Sequence, residues 1–136
     1  MNICNMLYVG DVEVVAAFWE KVGFVEIGRE GEGKALTIIV APTADSNARL
    51  QLWKKSYIEE VSPEVANSVP SLLMTLDDLE SMHAKLSEFL APFDMKSGDF
   101  ASKIMPISVR DGLTNFAFSD PEGHFYAFAK SEFPDA

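Results

Sequence analysis

Apolar and polar positions recur in the same order twice along the chain. In the first half, a short apolar strand ends at Val9 and is followed by Asp11 and by apolar residues at helical spacing. The second half repeats this order around Asp78, 67 positions later (78 minus 11). Aspartate at both points is suited to cap a helix, because its side chain accepts backbone N–H bonds. The two predicted helices carry matching apolar stripes: Val12, Val15, Trp19 and Val22, and Leu79, Met82, Leu86 and Phe89.

The segments after each helix predict strands, because they are rich in β-branched, aromatic or alternating residues and are separated by turn residues. After the first helix these strands are Phe24 to Gly28, Ala35 to Ala41 and Ala48 to Lys54. In the second half the expected elements are a strand Ser71 to Leu76, a helix from about Leu79 to Leu90, a weak strand between Ile104 and Arg110, and strands Leu113 to Phe118 and His124 to Lys130.

Each half is therefore predicted to be a β-α-β-β-β module. We expect one domain over residues 1–136, with module one at about 1–56, a connector at about 57–70 and module two at about 71–132. Ala91 to Lys103 is the exception, since its polar and glycine residues interrupt any period and leave its conformation open.

Three stretches carry a recognisable pattern: Tyr8 to Glu13 leading to Phe18 to Phe24, Thr75 to Glu80, and Phe118 to His124. Together they resemble the vicinal oxygen chelate superfamily, which includes glyoxalase I, extradiol dioxygenases, fosfomycin-modifying enzymes and bleomycin-resistance proteins. The resemblance implies an α+β fold in which two tandem β-α-β-β-β modules form a curved mixed sheet around a cleft. It also implies a homodimer, which would cover exposed sheet edges.

Metalloenzymes of this superfamily take His, Gln or Glu ligands from the first and last strands of each module. The matching positions here are Cys4, Gln51, Ser71 and Ala127. A catalytic divalent cation usually has at least three protein ligands, whereas Ala127 has no donor atom, Ser71 is a poor ligand and Gln51 is neutral. We therefore expect no metal and no other cofactor.

Three further residues with reactive side chains have ordinary structural interpretations. His83 is predicted at the surface or boundary of the second helix, and His124 is predicted to complete a hairpin. Cys4 is predicted to be a small buried apolar residue rather than a nucleophile, because the sequence places no base or cation beside it.

Strand alternation identifies the side chains that would line the cleft if the ligand-like positions face it. This lining consists of Cys4, Met6, Tyr8, Arg49, Gln51, Trp53, Ser71, Leu73, Thr75, Phe125, Ala127 and Ala129. The opposite parity is apolar and is predicted to pack under the helices; it consists of Leu7, Val9, Leu50, Leu52, Leu72, Met74 and Leu76. A lining of this kind suits a flat apolar organic molecule, with polar groups setting its orientation. Its aromatic residues are equally compatible with core packing or a dimer contact.

Composition and charge narrow the possible partners. The 136 residues are 48% hydrophobic and 24% charged, as expected for one globular domain. With 21 acidic and 11 basic residues the formal net charge is −10, which opposes binding to nucleic acid or anionic membranes and attracts cations. Cys4 is the only cysteine, so no internal disulfide forms and a cytoplasmic location is expected. We find neither an export signal nor an apolar run of about 18 residues.

The sequence favours a glyoxalase/bleomycin-resistance-like protein without the usual metal ligands. Such a protein would bind or sequester a small planar or cationic organic molecule, in the manner of antibiotic-resistance proteins. One alternative is a divalent-metal-dependent lyase, isomerase or dioxygenase with an atypical ligand set. Another is a structural or regulatory partner protein whose cleft is vestigial. The expected partners are a small-molecule ligand and a second copy of the chain.

Overall fold

The computed structural model describes residues 1–131, so the last residue of the predicted second module, Glu132, lies outside the described residues. The chain divides into two compact units, Met1–Pro70 and Ser71–Ala136, which we call unit 1 and unit 2. No helix among the described residues is long and apolar enough to span a membrane.

Unit 1 has the predicted β-α-β-β-β order and one additional helix. Its elements are β1 (Ile3–Val9), α1 (Val12–Val22), β2 (Val25–Glu30), β3 (Thr37–Ala41), β4 (Ala48–Lys54) and α2 (Lys55–Val61). The sheet order is β1-β4-β3-β2. β1 and β4 are parallel, while β3 is antiparallel to both of its neighbours. A parallel pair needs a long crossover connection, and α1 forms part of it.

Helix α1 confirms the predicted cap and apolar stripe. The Asp11 carboxylate accepts a hydrogen bond from the Val14 backbone N–H at 3.2 Å. The helix ends at Gly23, whose φ of 124° is readily adopted only by glycine and whose N–H bonds to the Trp19 and Glu20 carbonyls. All four residues of the stripe are at most 3% exposed: Val12, Val15, Trp19 and Val22.

Helix α2 lies partly within the segment predicted as a connector. Residues 55–61 contain neither glycine nor proline, and Ile58 anchors the helix because its side chain is only 7% exposed. The helix ends before Pro63, with the Ser62 N–H bonded to the Ile58 carbonyl at 2.8 Å. A helix of seven residues has only about two turns, so its apolar periodicity is too weak to distinguish the segment from a polar loop.

Unit 2 repeats the topology of unit 1 with additional short strands. Its elements are β5 (Leu73–Leu76), α3 (Leu79–Ser87), β6 (Ala91–Pro92), β7 (Lys103–Ile104), β8 (Ser108–Arg110), β9 (Leu113–Ser119) and β10 (Phe125–Lys130). The order is β5-β10-β9-β7-β6, and β8 also pairs with β9. β5 is parallel to β10, as β1 is to β4, and β10 is antiparallel to β9.

Helix α3 has the same start as α1. The Asp78 carboxylate accepts bonds from the Ser81 N–H at 3.0 Å and the Ser81 hydroxyl at 2.8 Å. The helix ends at Ser87 rather than near Leu90, although Leu86 and Leu90 are both buried. The α+β fold class and the order of the two modules are thus confirmed, with the strands divided between two mixed sheets, one in each unit.

Candidate functional site

One face of the unit 1 sheet is buried and the other is open. On β1 and β4 the buried side chains are Leu7, Val9, Leu50 and Leu52, none of them more than 3% exposed. The side chains of opposite parity pair across the two strands as Cys4 with Arg49, Met6 with Gln51 and Tyr8 with Trp53. The structure therefore brings six of the predicted lining residues onto one surface, which we call the open face of unit 1. Cys4 is exposed there, so the prediction that it is buried was wrong.

Gln51 has a defined orientation on this face. Its side-chain amide donates to the Thr37 hydroxyl at 3.1 Å, and that hydroxyl donates to the Leu52 carbonyl at 2.8 Å. Thr37 itself is 3% exposed, so the relay is anchored in the sheet. The Gln51 amide is thus held by the Thr37 hydroxyl, which is itself bonded to the backbone. An amide fixed in this way can orient a polar group of a bound molecule.

Trp53 supplies the largest aromatic surface on the open face of unit 1. Its ring stacks on Tyr57 of α2, with centroids 5.9 Å apart and planes 18° from parallel. The indole N–H is buried and has no hydrogen-bond partner within residues 1–131. Tyr57 is absent from the predicted lining because residues 57–70 are predicted to be a connector, whereas Tyr57 lies in α2.

The predicted lining residues of unit 2 are only partly brought together. Ala127 lies between Leu73 on β5 and Ala117 on β9. Leu73 is 58% exposed. Phe125, which lies on the same face of β10 as Ala127, is 37% exposed. Thr75 is also exposed, but Ser71 precedes β5, which starts two residues later than predicted. Ala129 is fully buried, so its place in the predicted lining was wrong.

Three phenylalanines form a cluster beside this face. The ring centroids of Phe93, Phe100 and Phe125 are 5.7 to 6.3 Å apart. Phe93 is held by the bond from its N–H to the Ile104 carbonyl, and the Phe100 carbonyl accepts from the Ser119 hydroxyl. We call these three side chains the phenylalanine cluster. Phe93 and Phe100 were not predicted, because they lie in the aperiodic stretch whose conformation the sequence left open.

A groove of about 320 Å³ opens along β8 and β9. It forms between β7 and β8, where the Met105 N–H still donates to the Ala117 carbonyl but Pro106 cannot donate a bond to the sheet. We call it the β8–β9 groove. Its lining consists of Phe93, Met105, Pro106, Ser108, Arg110, Asn115, Phe116 and Ala117.

Comparison with known proteins identifies the fold. No family model and no curated protein matches the sequence. Solved structures match over almost the full length. A bleomycin resistance determinant encoded on the transposon Tn5 is 21% identical, with a TM-score of 0.72 over 98% of this chain and 99% of that chain. This chain has the bleomycin-resistance fold.

Two other structures support the same assignment. A bleomycin-binding protein in complex with bleomycin is 19% identical, with a TM-score of 0.71 over 97% of this chain and 99% of that one. An antibiotic-binding protein from Streptomyces is 21% identical, with a TM-score of 0.69 over 96% and 94%. The predicted resemblance is confirmed, and at these identities it concerns the fold alone.

Within this bleomycin-resistance fold, the positions that match the superfamily's metal ligands do not form a donor set. Cys4 and Gln51 lie on neighbouring strands, Ser71 lies before β5, and Ala127 carries only a methyl group. Across residues 1–131, no group of three or more His, Cys, Asp and Glu side chains could hold a metal ion. These residues do not fit a divalent cation, which needs several charged or imidazole donors.

Both histidines have structural partners, and His83 is half-buried, which agrees with the predicted boundary position. The Met105 carbonyl can only accept a hydrogen bond, so His83 Nε2 carries the proton and donates to it over 2.9 Å. The His83 ring also lies edge-on to Phe116, with centroids 4.8 Å apart. These two contacts hold the chain where the β8–β9 groove opens. His124 completes the β9–β10 turn, where its backbone N–H donates to the Asp120 carboxylate.

Asp120 is the central residue of that turn. Its carboxylate is fully buried and accepts bonds from the Glu122 N–H at 2.8 Å, the His124 N–H at 3.1 Å and the Tyr126 hydroxyl at 2.9 Å. Burial, and then the charge of Asp120, raise the pKa of Tyr126, so this hydroxyl stays a donor at neutral pH. The network fixes the turn that holds the phenylalanine cluster through Ser119.

A second cavity of about 230 Å³ lies at the start of α1. Residues of both charges line it, namely Asp11, Glu13, Lys34 and Lys54. Asp11 is already used to cap the helix. This cavity contains none of the side chains predicted to line the cleft.

Proposed function

We propose that this protein binds and sequesters a small planar or cationic organic molecule without transforming it. The observation that carries the proposal is the open face of unit 1. There a half-buried tryptophan, stacked on Tyr57, lies next to the oriented amide of Gln51 and the exposed thioether of Met6. Aromatic and apolar surface with a few oriented polar groups is typical of sites that bind flat organic ligands.

The fold comparison supports a binding role. One protein with this fold is described as a bleomycin-binding protein in complex with bleomycin, and another as an antibiotic-binding protein. The net charge of −10 favours a cationic ligand at low ionic strength, because the summed field attracts counter-charges. The metal-dependent alternative gains no support, since the superfamily's ligand positions carry unsuitable donors.

Trp53 is the residue on which the proposal is tested. Planar and cationic compounds, bleomycin included, are titrated into the protein and followed by calorimetry and tryptophan fluorescence. We expect saturable binding that is lost in Trp53→Ala and retained in Trp53→Phe, because phenylalanine keeps an aromatic face. Trp19 is fully buried and serves as an internal reference for the fluorescence.

Two results would count against the proposal. Binding that is unaffected by Trp53→Ala would move the site away from the open face of unit 1. Turnover of a bound compound that is lost on chelation would replace sequestration by metal-dependent catalysis.

The homodimer is part of the same proposal. Apolar side chains remain exposed on strands of both units, with Ile3 at 61%, Leu73 at 58% and Val109 at 69%. A second copy could cover such surface. Sedimentation at tens of micromolar should show a dimer, and a monomer at that concentration would contradict the dimer while leaving the binding proposal intact.

A further inference from the structure

The charge inside the β8–β9 groove is opposite in sign to that of the protein as a whole. Among the groove's lining residues, Arg110 is the only ionisable side chain, and no carboxylate lies with it. The protein has a net charge of −10 and 21 acidic residues against 11 basic ones, so its composition does not predict a groove whose single charged side chain is basic. In the described part of the chain, Arg110 forms no ion pair, whereas Arg29 is bonded to two glutamates.

The rest of the lining separates into an apolar part and a polar part. Phe93, Met105 and Ala117 offer apolar surface, and Ala117 keeps the floor of the groove low because its side chain is a single methyl group. Ser108 and Asn115 are paired in register across β8 and β9 and add hydrogen-bonding groups beside Arg110. A volume of about 320 Å³ lies at the lower end of ligand pockets, roughly 300 Å³ and above, and admits a fused two-ring system.

We infer that the β8–β9 groove binds a planar aromatic molecule that carries an acidic group, such as an aromatic carboxylate. The ring system lies against Phe93 and Ala117, and the acidic group meets the guanidinium of Arg110 in a charge-assisted hydrogen bond. The inference goes beyond the proposed function, because none of the residues that line this groove belongs to the open face of unit 1.

The overall negative charge does not remove this preference. Exposed charges more than about 8 Å apart are largely screened at physiological ionic strength. Arg110 is also exposed, but it lines the groove, so its guanidinium acts on a bound ligand at contact distance, where screening is weak. The long-range field therefore lowers the rate at which an anion arrives, and the local contact determines which ligand stays bound.

Three naphthalene probes of nearly equal size test the inference by calorimetry. They are 2-naphthoate, which is anionic at neutral pH, the neutral 2-naphthamide, and the cationic 2-naphthylmethylamine. The probes are titrated into Trp53→Ala, which removes the aromatic surface of the proposed function, and this protein should bind naphthoate several-fold more tightly than naphthamide, and the amine most weakly. The naphthoate preference should decline as salt is added, while naphthamide binding should be unaffected.

Variants with matched controls locate the probe. Arg110→Gln should weaken naphthoate binding about fivefold and leave naphthamide unchanged, since a partly exposed ion pair has a modest effect. Lys96→Gln removes the same charge in unit 2 from an exposed residue that does not line the groove, and it should change neither affinity. Ala117→Leu fills the floor of the groove and should weaken naphthoate and naphthamide alike. Circular dichroism checks that each variant is folded.

The outcomes separate this inference from the proposed function. An unchanged ratio of naphthoate to naphthamide affinity in Arg110→Gln overturns the inference, as does tighter binding of the amine or no binding of naphthoate at millimolar concentration. If planar compounds bind in a manner that depends on Trp53 but not on Arg110 or Ala117, the inference fails and the proposed function stands. If no planar or cationic compound binds anywhere, both fail.

Discussion

Replacing Tyr126 with phenylalanine tests the buried turn that supports the phenylalanine cluster. The substitution removes one hydroxyl, which donates at 2.9 Å to the fully buried carboxylate of Asp120. A hydrogen bond to a charged group contributes about 1.5–3 kcal/mol, so we expect the free energy of unfolding to fall by about 2 kcal/mol. The shape of the ring is unchanged, and Asp120 keeps its two backbone donors, so no larger loss is expected.

Guanidinium unfolding at neutral pH, followed by circular dichroism, measures the effect. The midpoint should fall while the dependence on denaturant stays constant, because the surface exposed on unfolding is the same. Tyr57→Phe is the matched control, since the Tyr57 ring stacks on Trp53 and its hydroxyl has no hydrogen-bond partner among the described residues. The control should stay within about 0.5 kcal/mol of wild type. A Tyr126→Phe loss no larger than that of the control would refute the reasoning.

The same substitution changes the response to alkali. Burial, followed by the negative charge of Asp120, raises the pKa of Tyr126 above its usual value of 10.0. In the unfolded chain the phenol ionises near its usual value, so its contribution to stability is complete below pH 10 and is lost as the pH rises towards the pKa of the folded state. The stability difference between wild type and Tyr126→Phe should therefore shrink above pH 10.

Two further predictions concern the cap of α3 and a glycine turn. Hydrogen bonds from the Ser81 N–H and then from its hydroxyl lower the pKa of Asp78 below its usual value of 3.8. The stabilisation that Asp78 provides is therefore complete at pH values above 3.8 and is lost as the pH falls through the lowered pKa. Asp78→Asn should make unfolding midpoints measured between about pH 5 and pH 2 less dependent on pH, and an unchanged acid limb would contradict this. At Gly31, φ is +138° and an added Cβ would lie 2.6 Å from the Leu36 nitrogen, whereas Gly33 has φ +75° and open space. Gly33→Ala should lower the free energy of unfolding by about 1–2 kcal/mol, because alanine is strained at positive φ. Thermal unfolding should show a larger loss of stability for Gly31→Ala, and equal losses in the two variants would refute the steric argument.

Features that depend on local pattern could be predicted from the sequence. Alternation along β1 and β4 correctly separated the buried Leu7 and Leu52 from the open face that holds Trp53. The aspartates that cap α1 and α3 could be identified because an N-cap contacts backbone only three residues away. Both signals arise within one element and need no knowledge of tertiary structure.

Features that depend on distant contacts could not be predicted. Phe93 and Phe100 reach Phe125 because short strands and the Ser119 hydroxyl hold the intervening chain, and no periodicity marks that arrangement. The β8–β9 groove likewise exists because strand pairing is interrupted at Pro106. Exposure of Cys4 was missed because residue type favours burial for cysteine, whereas its position in the strand places it on the open face.

The two units show how one topology carries two different surfaces. Gln51 and Ala127 occupy matching positions, each on the last strand of its module and each next to a residue of the first strand, Met6 or Leu73. In unit 1 this position carries an amide beside an indole, which makes a face with fixed polar groups. In unit 2 it carries a methyl group that pairs with Ala117, so that the face is low and side chains from neighbouring segments form the walls of a groove. The pairing of β5 with β10 matches that of β1 with β4, so the low face follows from the small side chains of Ala127 and Ala117. The walls of the groove come from the segment around Pro106, where strand pairing is interrupted, and Ala117→Leu tests how far the groove depends on side-chain size.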